Sequence, residues 1–213
     1  MATVSGDFEL TMDELRDVAR YVAESAQDIL PVFEEAVPGD PRPRAALDAA
    51  WAFVNGAKRT KLQRVTSLDA HRAAKEAGTE TARLAARAAG DAAYLHPISR
   101  AAQVGHILRA AASAARIAEL NAGDDSSVGD MRTEQARQRA TPTLISVLSR
   151  YPLASTAQDR VARLMSALDA LPCAHPAEET PAPPRHVLQG DTPDTPHRRA
   201  LGATESTWHP HVR

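Results

Sequence analysis

Six side chains in the first half of this 213-residue chain are of types that could do chemistry together: His71, Asp91, Tyr94, His96, Gln103 and His106. A histidine beside a carboxylate is the minimal equipment for general acid–base work or for weak metal binding. Spacing limits what the histidines can share. His96 and His106 are ten residues apart, which at ~100° per residue leaves them ~80° apart around a helix, so they cannot chelate one ion as an i, i+4 pair would. If three neighbouring helices carry these residues side by side, several can converge. They then serve as caps and buried hydrogen bonds, as a ligand or partner site, or as an acid–base pair. No residue is assigned a catalytic or metal-ligating role, and no cofactor is implied.

Two charged clusters stand apart from that set. In Gly-Asp-Pro-Arg-Pro-Arg, Asp40, Arg42 and Arg44 fall at a helix start, where a cation gains nothing from the helix dipole. A carboxylate of the chain or of a partner is therefore expected to pair with the arginines. Lys58, Arg59, Lys61 and Arg64 form a basic run. It reads as a solvated helix face or a local anion patch, and with no aromatic interleaved it is not expected to bind nucleic acid. The overall balance, 25 Lys+Arg against 27 Asp+Glu, likewise draws the chain to neither nucleic acid nor an anionic membrane. The phosphate loop, the dinucleotide fingerprint, the zinc-protease helix, the nucleophile elbow and the C-x-x-C pair are all missing, which argues against the chemistries they serve. The lone Cys173 rules out an intrachain disulfide, and MATVSGDFEL has neither a basic start nor an apolar stretch. A cytoplasmic protein is the expectation.

The elements that must position these residues read as helices throughout. Alanine supplies roughly a fifth of the chain, and it forms helices best because it loses no side-chain entropy. Thr11 and Glu14 make a capping box with Leu10 and Leu15 as staple, so a helix begins at Met12, and Pro31 is expected to kink or divide it. Asp40 as N-cap and Pro41 at the first position start a second helix with Leu47, Trp51 and Val54 inward. A third is expected from about Arg59 to Ala77 with Leu62, Val65 and Leu68 inward, and a fourth from Thr79 to Tyr94. A fifth should run from His96-Pro97 to about Ala122 on a stripe of Ile98, Ala101, Ala102, Gly105, Leu108, Ala112 and Ala115. Further helices are expected over Val128 to Arg139, after Thr141-Pro142, and after a second capping box of Ser155 and Gln158. No segment alternates long enough for a strand. The expected fold is all-α, a single-domain bundle of about seven to eight mostly antiparallel helices over residues 11–171 behind an N-terminal arm of 1–10. Residues 172–213 hold over half the prolines and five of the eight histidines, and are expected to be a disordered or extended tail.

The run from Gly39 through Asp40, Arg42 and Arg44 to Trp51, the segment His71-Arg72-Ala73-Ala74, and Ala93-Tyr94-Leu95-His96-Pro97 followed by Gln103-Val104-Gly105-His106-Ile107-Leu108 together resemble the Imm-5-like family. These are putative immunity proteins, Ala-rich and helical, of actinobacteria and other bacteria. The resemblance spans about residues 10 to 171. It implies a helical fold, neutralisation of a partner such as a bacterial toxin by direct binding, and Asp40, Arg42, Arg44, His71, His96, Gln103 and His106 as candidate positions. Related sequences also carry the label of an SbcC-type exonuclease, which this chain does not fit, having neither the phosphate loop nor the long coiled coil of such an ATPase. Two classes of function stay open: an interaction protein that occludes a partner protein, and a small-molecule-binding, resistance or secondary-metabolism protein with a pocket between helices three to five. A homodimer fits either, since Ala-rich helices also pack across subunits.

Overall fold

The computed structural model describes residues 8–95, 98–99, 103–154 and 159–170. Eight helices lie within them: α1 (Met12–Ala36), α2 (Arg42–Val54), α3 (Lys61–Glu76), α4 (Glu80–Tyr94), α5 (Gln103–Asn121), α6 (Ser126–Gln138), α7 (Pro142–Leu148) and α8 (Arg160–Asp169). None is long and apolar enough to cross a membrane. The expected capping box and tail residues Ser155, Gln158 and 172–213, and His96 with Pro97, lie outside the described residues.

Local signals set most boundaries. The Thr11–Glu14 capping box is formed in both directions, with Thr11 N donating to Glu14 at 2.8 Å. Thr141 caps α7 with Pro142 in its first turn. Pro31 does not divide α1, which continues through it to Ala36. Helix α2 begins one residue later than expected. Pro41 is the N-cap, while Asp40 accepts from the Arg42 amide at 3.0 Å, so the aspartate still satisfies a first-turn donor. The N-cap of α8 is Asp159.

Two expectations are overturned. Ile98–Ser99 is not helical but pairs antiparallel, as β2, with β1 (Phe8–Glu9), and α5 starts only at Gln103. The apolar spacing of Ile98 merely prolongs the α5 stripe, whereas a β-branched residue is at home in an extended pair. The second reversal concerns α3, where Leu62, Val65 and Leu68 are exposed by 55%, 52% and 46%, and Gln63, Thr66, Ser67, Ala70, Ala73 and Ala74 face inward. Small side chains let α3 approach α4 closely. The buried polar groups are all satisfied: Gln63 caps Thr60 and donates to the Ala49 carbonyl at 3.3 Å, Thr66 donates to its own helix, and Ser67 donates to the Gly90 carbonyl at 2.8 Å.

Helix α4 packs on α1, α2, α3 and α5, and α5 packs on α1, α4, α6 and α8. Contacts of α3 and the turn before it with α4 pair Arg59 with Tyr94 and Ser67 with Gly90, and those between α4 and α5 pair Glu80 with Arg116 and Asp91 with His106. Rising numbers on one element meet falling numbers on the next, so both pairs are antiparallel. Alanines occupy most of the buried positions of α4 and α5, with Leu15, Leu30, Phe33, Leu47, Ile107 and Leu108 supplying the bulk.

At the far end of α5, Glu119 is buried against α6 and α8. It accepts from Arg160 at 3.0 Å and from Arg116 at 3.1 Å. Burial pushes its carboxyl up, but the two arginines outweigh burial and hold it below the usual range. Gly129 makes the room: a Cβ there would stand 1.9 Å from the Glu119 carboxylate. Gly129→Ala should therefore drive Glu119 off its arginines and cost about 2–4 kcal/mol in a urea melt. A loss within ordinary surface scatter would show that Glu119 can move freely.

Candidate functional site

Asp91 has no exposed surface, yet it carries a carboxylate in the middle of an alanine-rich helix. Such a group must be met by donors, and they come from the flanking helices. From α5, His106 Nδ1 stands 2.5 Å from Oδ1, and Arg109 Nη1 donates to Oδ2 at 3.1 Å. From α3, His71 Nε2 stands 3.7 Å from Oδ1, outside hydrogen-bond reach. Three helices thus present four polar groups to one another around a single carboxylate.

Each position has a local cause. His106 and Arg109 are three residues apart and so share one face of α5. Gly90 precedes Asp91, and a Cβ on it would lie 2.9 Å from the His71 ring, so the missing side chain is what seats that ring against α4. Tyr94 lies one turn beyond Gly90, half-exposed, with its ring 4.3 Å from that of His106. Arg59, in the turn before α3, donates to the Tyr94 carbonyl at 3.2 Å and so closes the last turn of α4.

The electrostatics follow from this packing. Burial pulls the His71 pKa below its ordinary value; Asp91 opposes this, and His106, Arg87 and Arg109 reinforce it. His71 is therefore held neutral. For Asp91 to accept from His106, Nδ1 must carry the proton, which in the neutral ring leaves Nε2 as the acceptor. Among the described residues no three His, Cys, Asp or Glu side chains could hold a metal ion. The direct 2.5 Å contact leaves no room for one between Asp91 and His106.

Of the sequence candidates, His71, Asp91, Tyr94 and His106 come together. Gln103 does not join them, being buried with its amide 3.4 Å from the Tyr151 hydroxyl. The α2 cluster is separate. Arg42 spans Asp40 and Glu76, each at 2.6 Å, and Arg44 makes a two-pronged pair with Glu34 at 2.8 Å. The side-chain and backbone bonds from Arg42 hold Asp40 below the usual carboxylate range. The ion pairs tie α2 to α3 and α1, as the argument from the helix start anticipates. Arg109 and Gly90 are the members that residue types alone do not pick out. Their signals are the three-residue step from His106 and a glycine inside an alanine helix.

Two surfaces flank the cluster. On one side a cleft of about 710 Å³ is lined by His71, Lys75, Arg83, Arg87, His106 and Arg109. On the outer side of α3, Leu62, Val65 and Leu68 form an exposed i, i+3, i+6 ridge with Lys61 and Arg64, which make no ion pair among the described residues.

Because folded His71 resists protonation while the unfolded chain does not, the native state binds fewer protons below the ordinary histidine pKa. Stability must then fall as pH drops through that range. Urea midpoints at pH 7.5 and pH 5.5 should show a smaller loss for His71→Gln than for the unsubstituted chain. Equal losses would mean that His71 titrates freely.

With this geometry in place, comparison with known proteins gives one finding. The family model described as Imm-5 like putative immunity protein matches residues 9–142. No curated protein and no solved structure matches the chain.

Proposed function

The chain belongs to the Imm-5 like putative immunity protein family, and from that premise we propose that it is an interaction protein that binds and neutralises a partner protein such as a bacterial toxin. The observation that carries this reading is the outer face of α3. Three large apolar side chains, Leu62, Val65 and Leu68, stand about half-exposed in a row, and contiguous exposed apolar surface on a folded domain marks a protein contact. Lys61 and Arg64 beside the ridge make no ion pair among the described residues, so the complementary partner surface is apolar with an acidic rim. Tyr94 adds a half-exposed aromatic at the end of α4, whose backbone carbonyl accepts from Arg59. In an interface of ordinary size, roughly 800 Å² per partner, tyrosine and arginine are favoured anchors, and an apolar ridge beside them supplies buried area. The proposed setting is the cytoplasm, which the lone cysteine suits.

A second reading, a small-molecule-binding, resistance or secondary-metabolism protein, draws on a different observation: the convergence of His71, Asp91 and His106 beside a cleft.

Co-expression with toxins encoded in the same gene neighbourhood tests the first reading. Protection of the host and a stable complex are expected. Val65→Asp with Leu68→Asp should weaken that complex at least about a hundredfold, the size of a hot-spot loss, while leaving the melting temperature unchanged. No protection and no complex, or a complex indifferent to those two charges, would contradict it. Sedimentation of the chain alone reads out whether a second copy occupies the ridge instead.

A further inference from the structure

We propose that the cleft between α3, α4 and α5 is a binding site for a small multivalent oxyanion, a phosphate ester or a polycarboxylate. Its lining holds four permanent cations, Lys75, Arg83, Arg87 and Arg109, against one carboxylate, Glu80. That carboxylate is itself engaged by Arg116 at 3.5 Å. The chain as a whole carries a net charge of −2, so this excess is local. Lys75, Arg83 and Arg87 form no ion pair among the described residues, whereas Arg109 and Arg116, the other arginines of α4 and α5, both do.

The buried Asp91 beneath the cleft offsets Arg109 alone and leaves Lys75, Arg83 and Arg87 in excess. Asp91 spends its oxygens on His106 and Arg109, and by doing so it fixes both side chains at the cleft wall. Arg109 engages Asp91 through Nη1 and so retains other donors. Arginines that are fixed or closely spaced suit the forked donation that oxyanions accept. Arg83 and Arg87 are four residues apart on α4 and lie on one face, with Leu84 beside them as an apolar strip. The volume, about 710 Å³, is that of a site for a small organic molecule rather than a lone ion. A second cavity of about 540 Å³ shares Glu80, Leu84, Arg87 and Arg109 and runs on to Arg116, Asp159 and Arg160, the last of which pairs with Glu119. This site rests on its cationic lining and not on the docking reading; Lys75 lies two turns beyond Leu68 on α3 and so borders the ridge.

The test is titration of the full chain with inorganic phosphate and, separately, with citrate, followed by calorimetry and by amide NMR shifts, at an ionic strength held constant with chloride. Saturable binding is expected, with shifts gathered around His71, Leu84 and His106. Comparison of the two probes separates phosphate from carboxylate preference. Arg83→Gln with Arg87→Gln, both exposed positions, should weaken binding by about tenfold or more, as loss of charge-assisted bonds implies. Arg72→Gln, exposed on α3 but outside the cleft, should leave it unchanged. A response to both probes no larger than that to chloride, or one unaltered in the double variant, would overturn the proposal. The toxin-protection assay would be untouched by either result.

Discussion

A carboxylate sealed from water has to be met by donors, and Asp91 imposes that condition on the helices around it. Its partners come from α5, with the His71 ring of α3 close by, so these elements cannot slide without stranding a buried charge. The rest of the site follows from meeting that demand. Gly90 is bare so that His71 can lie against α4, Ser67 donates to the Gly90 carbonyl, and Tyr94 lies against the His106 ring. Glu119 solves the same problem at the other end of α5, with Arg116, Arg160 and a glycine on α6. An alanine-rich interior makes both arrangements possible, because helices that approach closely leave space for a few long polar side chains and little else.

Much of the fold is legible in the chain. Capping boxes and cap-then-proline steps mark helix starts because they satisfy donors that a helix cannot satisfy itself, and Thr11–Glu14 and Thr141-Pro142 show this. What misleads is apolar periodicity where the true interface is small and polar. Leu62, Val65 and Leu68 recur at helical spacing, yet they mark the solvent side of α3. The inward side, Gln63, Thr66 and Ser67, reads as a surface because its hydrogen bonds run to the carbonyls of Ala49, Leu62 and Gly90, which no pattern of residue types reveals. The site was half legible for a similar reason. His71, Asp91, Tyr94 and His106 stand out by chemistry, but their meeting depends on how three helices pack, and Arg109 completes the set only once the faces are known.

Two adjoining faces of α3 consequently serve different ends. One carries apolar side chains that the domain leaves uncovered, the kind of surface a partner protein covers. The other contributes His71 and Lys75 to a cationic cleft whose wall is fixed by Asp91. Helix α3 is positioned by what lies beneath it, so the disposition of both surfaces rests on the same buried contacts.

The dependence on Asp91 is tested most directly by amide hydrogen exchange on Asp91→Asn, a change that keeps shape and removes charge. Protection should fall along α3, the second half of α4 and the first half of α5, while α6 and α8 around Glu119 keep theirs. Unchanged protection, or a loss spread evenly over every helix, would show that the three helices are held by apolar packing alone and that Asp91 does not organise the site.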